Sequence, residues 1–232
     1  MNIRVAQISW SLFGLLVPLV IAAITVPALL KTLGSEKFGL LALAWGLIGY
    51  AGVLDLGVGR ALTQMLSKLK GLEQAHVIPD TVITASRITL IAGLIGAFLI
   101  WVSASSLSKL VVVSSDISTN QIEISIILLA IALPAQAMSA TYRGINEAQL
   151  NFKEISFIRM ALGVVNFAGP YAISIYTNEI QYAILTLVIS RLLAFGVFYY
   201  VAQKSLSKEN IFLDSGKYCS TQASKLFSFG FG

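Results

Sequence analysis

Long stretches of apolar residues without any charge constrain this chain more than any other feature of its sequence. One of them, residues 38–54, has no charged side chain, and Ala42, Gly46, Gly49 and Gly52 follow one another along it at helical spacing. About 20 apolar residues in a helix span the roughly 30 Å of a bilayer's hydrocarbon core. Small residues on such a helix let a neighbouring backbone approach closely. The stretch is therefore predicted to be a membrane-spanning helix.

The whole chain repeats this pattern, and only 12% of its 232 residues are charged, against about 25% in soluble domains. None of the apolar stretches alternates in polarity as the strands of a membrane barrel do. The predicted fold class is an all-α integral membrane protein, built as a six-helix transmembrane bundle. The six spans are predicted at residues 8–30, 38–58, 88–105, 122–140, 157–176 and 181–201.

The pattern of apolar spans divides the chain into two predicted parts. Residues 1–203 form a transmembrane lobe, and residues 204–232 form a cytoplasmic linker with a further segment. The final segment is apolar and contains Phe227, Phe229 and Phe231. It is interpreted either as the start of a seventh helix in a truncated chain or as a short tail lying on the bilayer surface. We expect the truncated helix, because three phenylalanines need a partner to bury them.

The positive charges are distributed unequally between the two sides of the predicted bundle. Twelve of the 16 Lys and Arg residues fall at the N-terminus, in or beside the second and fourth connectors, and in the tail. Three fall in the other connectors, and Arg191 falls within a span. Because cytoplasmic loops keep the excess of Lys and Arg, both termini are predicted to be cytoplasmic, which is consistent with an even number of spans.

Arg191 is the most informative charged residue, because it lies near the middle of the sixth predicted span. A charge at that depth costs about 2.5–3.5 kcal/mol on insertion scales and almost always faces the bundle interior or a watery cavity. A guanidinium offers a planar fork of donors that suits a phosphate or an acidic sugar. Arg191 is therefore a candidate for lining a translocation path. The structural alternative is an ion pair with a neighbouring helix, for which Asp55 is the candidate acid.

Asp55 and Arg60 flank two glycines at the end of the second predicted span. A continuous helix would hold them about 140° apart, so they pair only if the glycines break it. They are interpreted either as a polar helix end that reaches the lipid headgroups or as a pair at a cavity mouth that contacts substrate. Arg143 lies in a polar connector, residues 141–156, which is either a solvated loop or a contact for lipid phosphates or a soluble partner.

Two prolines lie inside predicted spans, Pro134 in the fourth and Pro170, directly after Gly169, in the fifth. Proline removes a backbone hydrogen bond and clashes with the preceding turn. Both helices are therefore predicted to kink or break at these positions. Membrane proteins tolerate such breaks where protein or a cavity satisfies the freed backbone groups.

No catalytic constellation is present in the sequence, and the chain is not expected to be an enzyme. Its one cysteine and one histidine exclude an internal disulfide, a cysteine-based zinc site and a multi-histidine metal site. No glycine loop followed by Lys and Ser or Thr occurs, so ATP hydrolysis is not expected. No cofactor, metal or nucleic-acid partner is expected, and the net charge of +5 is attributed to the sidedness of membrane loops.

Three short motifs carry a resemblance to a known family. The turn between the first two spans reads LGSEKFG (33–39), the second span closes on LDLGVGRALT (54–63), and YRG (142–144) follows later. In these segments the chain resembles the bacterial polysaccharide-export flippases, a branch of the multidrug/oligosaccharidyl-lipid/polysaccharide exporter superfamily. The resemblance extends over the whole chain and is most specific at residues 29–67.

The resemblance implies a fold of two six-helix lobes, of which this chain supplies the first, with alternating access around a central cationic cavity. It implies translocation of undecaprenyl-diphosphate-linked oligosaccharide repeat units across the bacterial inner membrane, for synthesis of O-antigen, capsule or exopolysaccharide. The implied partners are the lipid-linked oligosaccharide, the bilayer, and polysaccharide polymerase and other sugar-assembly membrane proteins. The implied substrate-binding residues are Arg191 first, and then Asp55, Arg60 and Arg143.

Two other functions remain open at this point. A drug–cation antiporter of the same superfamily is a weaker match, because some of its members carry an acid in the first span and residues 8–30 contain none. A non-transporting protein, either an inert half or a scaffold for sugar-assembly enzymes, follows if one lobe cannot transport alone. Accumulation of lipid-linked sugar repeats after deletion of the gene distinguishes the flippase from these two.

Overall fold

The computed structural model describes the backbone of residues 2–50, 57–111 and 117–230, and these parts of the chain are helical without any strand. Within these ranges it contains seven α-helices and two single 3-10 turns, at Ala75–Val77 and Leu213–Ser215. The helices are α1 (Asn2–Tyr50), α2 (Val58–Gly71), α3 (Ile78–Val111), α4 (Thr119–Ala148), α5 (Phe152–Ser174), α6 (Ile180–Ser207) and α7 (Ser220–Gly230).

Five segments of the described chain are long and apolar enough to cross a membrane, and the predicted class of all-helical membrane protein is therefore confirmed. Most of them extend beyond the predicted spans. The helix α3 begins at Ile78, ten residues before its predicted span, because hydropathy marks only the part in hydrocarbon. The five segments are Leu16–Gly49, Ala75–Leu110, Thr119–Ala148, Phe152–Ser174 and Ile180–Ser207.

The first helix, α1, is too long for a single crossing, since its 49 residues would extend about 73 Å if straight. Its first part runs parallel to α5. Pro18 packs closely against Gly163 near the middle of α5, and the Thr32 hydroxyl lies 3.1 Å from the hydroxyl of Ser174 at the end of α5. The first part of α1 therefore packs along the second half of α5.

The second part of α1 returns along the same helix. If α1 were straight, Trp45 would lie about 20 Å beyond Thr32. Its indole N–H instead donates to the carbonyl oxygen of Asn166 at 3.2 Å, eight residues before Ser174. The reversal occurs at Gly34, where φ is 79° and ψ is 168°, a combination almost restricted to glycine. Two antiparallel segments of α1 thus account for the first two apolar runs.

The second helix, α2, occupies a region predicted to be a connector. Val58, which was expected to end the second span, instead begins a new helix after Gly57, where φ is 72°. The apolar residues of α2 recur at intervals of three and four, which produces one apolar face. The buried residues of this face include Val58, Ala61, Leu62, Met65 and Leu66. The helix was missed because it is short and directly follows a stronger apolar signal.

The fourth helix, α4, lies at the centre of the bundle, and α2, α3 and α6 all pack against it. The approach of α3 is close, since a Cβ added at Gly93 would lie 2.9 Å from the Cα of Pro134. The helix α5 completes the bundle by packing against α1 and α6. Because lipid tails are as apolar as the side chains, close packing of this kind is what holds membrane helices together.

The connectors gather at two opposite ends of the bundle. Lys70 at the end of α2 forms an ion pair with Glu209, just after α6, at 2.7 Å, and a hydrogen bond with Gln149, between α4 and α5. Asn178, between α5 and α6, lines a cavity at the other end together with Gly34. The connectors expected to be cytoplasmic therefore share one end. The side of the membrane that this end faces remains a prediction.

The last helix, α7, docks at the end that carries Lys70. Its Leu226 is fully buried in an apolar core shared with α2, α3 and α6, and the ammonium of Lys68 lies 5.8 Å from the centre of the Phe229 ring. Phe227 and Phe229 are about two-fifths exposed. The division of the chain at residue 203 and the interpretation of the tail remain predictions.

Candidate functional site

Arg191 lies in the interior of the bundle, where α6 packs against its neighbours, and its side chain is only 9% exposed. One terminal nitrogen, Nη2, donates a hydrogen bond of 2.8 Å to the side-chain oxygen of Asn166 on α5. The Nε of the same guanidinium is buried without a hydrogen-bond partner among the described residues. The buried cation therefore keeps a donor free in a setting where buried donors are normally satisfied.

Asn166 also connects Arg191 to α1, because its backbone carbonyl accepts the hydrogen bond from Trp45. In a regular helix this carbonyl would bond to the N–H four residues later. That position is Pro170, which lies inside α5 and has no N–H. The indole of Trp45 thus satisfies the group that the proline frees. The fifth span was predicted to kink or break at Pro170. The helix α5 does not break there, since it runs from Phe152 to Ser174, and the kink remains a prediction.

Aromatic rings hold Trp45 in place beside this polar contact. Its ring meets that of Phe167 edge to face, with centroids 5.1 Å apart, and that of Phe38 at 6.0 Å. Sequence reasoning identified Arg191 but missed Asn166 and Trp45. The signal that points to Asn166 is a polar residue within a span, four positions before a proline.

No carboxylate is paired with Arg191 in the described part of the chain. The ion pairs found there are Lys70 with Glu209 and Arg143 with Glu147. The alternative partner expected from the sequence, Asp55, lies in residues 51–56, outside the described residues. Among the described residues the guanidinium meets only a neutral amide, and a guanidinium in this setting is better suited to bind an anion than one already bound to a carboxylate.

Arg60 and Arg143 are brought to one crossing point, where α2 meets α4. The glycines next to them, Gly59 and Gly144, touch so closely that a Cβ added at position 144 would overlap the Gly59 carbonyl oxygen. The hydroxyl of Thr63 lies 3.0 Å from both glycine carbonyl oxygens and joins the two backbones. Both arginine side chains are exposed, so the crossing presents two cations on the surface of the lobe.

Arg143 lies in a helix and not in the polar connector predicted for residues 141–156. The helix α4 continues to Ala148, and the Nε of Arg143 lies 3.6 Å from a carboxylate oxygen of Glu147, one turn later. Pairs of opposite charge at this spacing stabilise a helix. The interpretation of Arg143 as part of a solvated loop was therefore wrong, and the connector shrinks to a few residues before α5.

The depth of Arg191 relative to Arg143 follows from a contact between α4 and α6. The amide of Asn146 donates to the backbone carbonyl of Phe198 at 3.0 Å, so residues 146 and 198 lie at one level of two parallel helices. Arg143 is three residues before that level and Arg191 is seven. Arg191 therefore lies about 6 Å, or roughly one helical turn, deeper in the bundle.

An apolar groove lies between α5 and α6, with a volume of about 510 Å³. Ser190, the neighbour of Arg191, lines it, and the remaining lining side chains are almost all apolar, including Ala161, Gly169 and Ala194. The small side chains leave the room that larger ones would fill. A groove of this composition accommodates hydrocarbon. The described structure therefore has room for an apolar chain next to the buried Arg191.

Comparison with known proteins supports the resemblance argued from residues 29–67. The chain is 26% identical over 222 residues to a Shigella flexneri protein named "Putative O-antigen transporter", an alignment covering 95% of this chain and 51% of the relative. The chain is thus a distant homologue of that protein and spans about half of its length. The name of the relative is that of a transporter and not of an enzyme. No protein-family model and no solved structure matches the chain.

Proposed function

We propose that this chain acts in the translocation of undecaprenyl-diphosphate-linked oligosaccharide repeat units across the bacterial inner membrane. It would form the first six-crossing lobe of an exporter with a second lobe of similar size, with both termini of this chain in the cytoplasm. Homology to a protein named as an O-antigen transporter over 95% of the chain supports this assignment. The gathering of the cation-rich connectors at one end of the bundle supports the orientation.

Buried Arg191 is the observation that carries the proposal. A cation within a span costs about 2.5–3.5 kcal/mol, and the hydrogen bond to the Asn166 amide, the one that the described residues supply, offsets only part of this cost. An anionic group that approaches the guanidinium would take up its free Nε donor. The diphosphate of a lipid-linked sugar has the charge and the paired oxygens that an arginine fork binds.

The remaining candidates act at other points along the path. Arg60 and Arg143 at the crossing of α2 and α4 are exposed about one turn nearer the cation-rich end, where they would attract the diphosphate before it reaches Arg191. Asp55, which is close to the start of α2 in the sequence, would act near the same crossing of α2 and α4. The groove between α5 and α6 would hold part of the isoprenoid chain, because its lining is almost wholly apolar.

Lipid extracts from a strain with and without the gene test this function. Deletion is expected to raise the amount of sugar repeats on their undecaprenyl carrier and to lower surface polysaccharide. The gene with Arg191→Gln should fail to restore export, whereas Arg191→Lys should restore it in part, because lysine keeps the charge but lacks the fork. Arg159→Gln, which changes an exposed arginine on α5, serves as the control and should restore export fully.

A non-transporting role is the competing function. A lobe that only organises sugar-assembly enzymes would leave the lipid-linked repeats unchanged after deletion. Full export by the Arg191→Gln variant would contradict the substrate-binding role proposed for Arg191.

A further inference from the structure

A second polar cavity lies away from Arg191, between α3, α4, α6 and the 3-10 turn at Leu213–Ser215. Its volume is about 270 Å³, slightly below the range of roughly 300–1,000 Å³ typical of pockets for drug-sized ligands. Polar and charged side chains make up about half of its lining: Ser86, Arg87, Tyr142, Tyr199, Gln203 and Asp214. The cavity is therefore of a size and chemistry that suit one small polar group.

Two opposite charges line this cavity without neutralising each other. Arg87 and Asp214 both belong to its wall, yet neither forms an ion pair with any described residue. Ser86 is 93% buried there, and its hydroxyl has no well-formed hydrogen bond with any described residue. Tyr199 accepts a hydrogen bond of 2.7 Å from the Gln203 amide. Separated, unpaired charges leave space for a ligand that carries both signs.

The position of Asp214 is fixed by the chain that follows it. The backbone N–H of Lys217 donates to Asp80 at 2.7 Å, and that of Cys219 donates to the Thr84 hydroxyl at 2.9 Å, which ties the segment to α3. At Gly216 a Cβ would lie 2.6 Å from the carbonyl oxygen of Pro79, so only glycine fits there. The acidic wall of the cavity is thus held against α3 before any ligand binds.

The cavity lies at the boundary of the hydrocarbon layer, as the exposed residues of two helices show. On α3, Arg87 is followed by an exposed apolar stripe that begins at Leu90 and continues through Ile91, Leu94, Ile95 and Phe98. On α6 the order is reversed, since exposed apolar residues give way to Gln203 and the exposed Lys204 near the helix end. Charged side chains on membrane helices lie near the edge of the hydrocarbon layer, where their charged ends reach the lipid headgroups.

We propose that this cavity binds the headgroup of a zwitterionic phospholipid. The phosphate would lie on Arg87, with Tyr199 and Ser86 as hydrogen-bond donors, and the ammonium would lie on Asp214. The acyl chains would then follow the exposed apolar stripe of α3 into the bilayer. An anionic headgroup without an amine would satisfy Arg87 but would face repulsion from Asp214, so the pair selects for a headgroup with both charges.

Native mass spectrometry of the purified chain in detergent tests this site independently of any transport. The probes are dioleoylphosphatidylethanolamine and, separately, dioleoylphosphatidylglycerol. We expect the ethanolamine lipid to bind about tenfold more tightly, and Arg87→Gln to weaken its binding about tenfold, as expected for one lost hydrogen-bonded charge contact. Asp214→Asn should weaken binding of the ethanolamine lipid and leave binding of the glycerol lipid unchanged or stronger. A purely structural effect of the substitution would not change the two affinities in this opposite way.

Matched controls change exposed charges that lie outside the cavity. Lys208→Gln and Glu154→Gln should bind both lipids as the unaltered chain does. Equal binding of the two lipids, or variants at Arg87 and Asp214 that behave like these controls, would overturn the assignment. Water-soluble phosphoethanolamine should show no binding at the concentration that saturates the site with lipid. Binding as tight as that of the lipid would mean that the pocket takes a soluble compound instead.

Discussion

Arg191 carries a positive charge into the interior of a helical bundle and meets an amide oxygen there, 2.8 Å away. The amide belongs to Asn166, whose backbone carbonyl is free for Trp45 because Pro170 has no N–H to offer. One residue thus links three helical segments through its side chain and its main chain. The link explains how α5 stays continuous across a proline, and why Arg191 is held without a carboxylate among the described residues.

Replacing Asn166 with leucine tests this link. The change removes the acceptor and leaves a buried cation unsatisfied, so the free energy of unfolding should fall by about 1.5–3 kcal/mol, the range for hydrogen bonds to charged groups. Denaturation by sodium dodecyl sulfate, followed by tryptophan fluorescence, measures the change. Asn120→Leu, at an exposed position at the start of α4, is the control and should have little effect. Equal stability of the two variants would show that the amide does not support Arg191.

Gly144 provides a second test at the scale of one residue. A Cβ at this position would overlap the carbonyl oxygen of Gly59, and backbone cannot move aside as a flexible side chain can. Gly144→Ala is therefore expected to separate α2 from α4 and to lower stability by about 1–3 kcal/mol, as overpacking does. Gly196→Ala, with no atom within 4 Å of its added Cβ, should instead be neutral or stabilising by about 0.5–1 kcal/mol. A shared melting temperature for both variants would contradict the close crossing.

Among the elements, α1 shows how a single glycine sets topology. Two apolar segments of helix meet at Gly34, and contacts with α5 establish that they run in opposite directions. Without this reversal the second segment would leave the bundle, and Trp45 could not reach Asn166. The reversal therefore places both the second span and one wall of the candidate site.

Gly34→Ala should strain this reversal, because a side chain is disfavoured at φ 79° and ψ 168°. The expected loss is about 1–3 kcal/mol in the free energy of unfolding, measured by the same detergent titration. Gly39→Ala, five residues later in the helix, meets no atom within 4 Å and should not destabilise the chain. If Gly34→Ala does not lower the free energy of unfolding, the backbone at this position does not hold the positive φ.

At the scale of the whole molecule, the single cysteine of the chain reports on orientation. Cys219 lies just before α7, at the end of the bundle that carries Lys70, and this end is predicted to face the cytoplasm. A membrane-impermeant maleimide should label Cys219 in inverted vesicles but not in intact spheroplasts, with Cys219→Ser as the unlabelled control. Labelling from the outer side only would reverse the predicted orientation of every span.

The rate at which the Cys219 thiol is labelled depends on pH, and the fold determines this dependence. Hydrogen bonds from the backbone N–H groups of Gln222 and Thr221 at the start of α7 hold the pKa of Cys219 below its usual value. A lowered pKa gives more thiolate at a given pH, so the labelling rate of the folded chain should rise at lower pH than that of the chain unfolded in detergent. Coincident profiles would show that α7 does not form at Cys219.

The membrane class, the helical structure and the buried cation follow from the sequence alone. Apolar run length sets whether a segment spans a bilayer, and a charge inside such a run is costly wherever its neighbours lie. These properties depend on short stretches of chain, so the spans and Arg191 could be predicted without knowing any contact. The helical structure of α2 was also encoded in its apolar spacing, but the stronger neighbouring span concealed it.

Only the tertiary structure decided which groups meet. Asn166 and Arg191 are 25 positions apart in the sequence, and Trp45 and Asn166 are 121 positions apart. Arg87 lines the same cavity as Asp214, which lies near the far end of the chain. Their pairing depends on the reversal at Gly34, the crossing of Gly59 and Gly144, and the docking of the segment after α6. Such contacts arise from packing between distant segments, and no local pattern of hydropathy or charge specifies a partner.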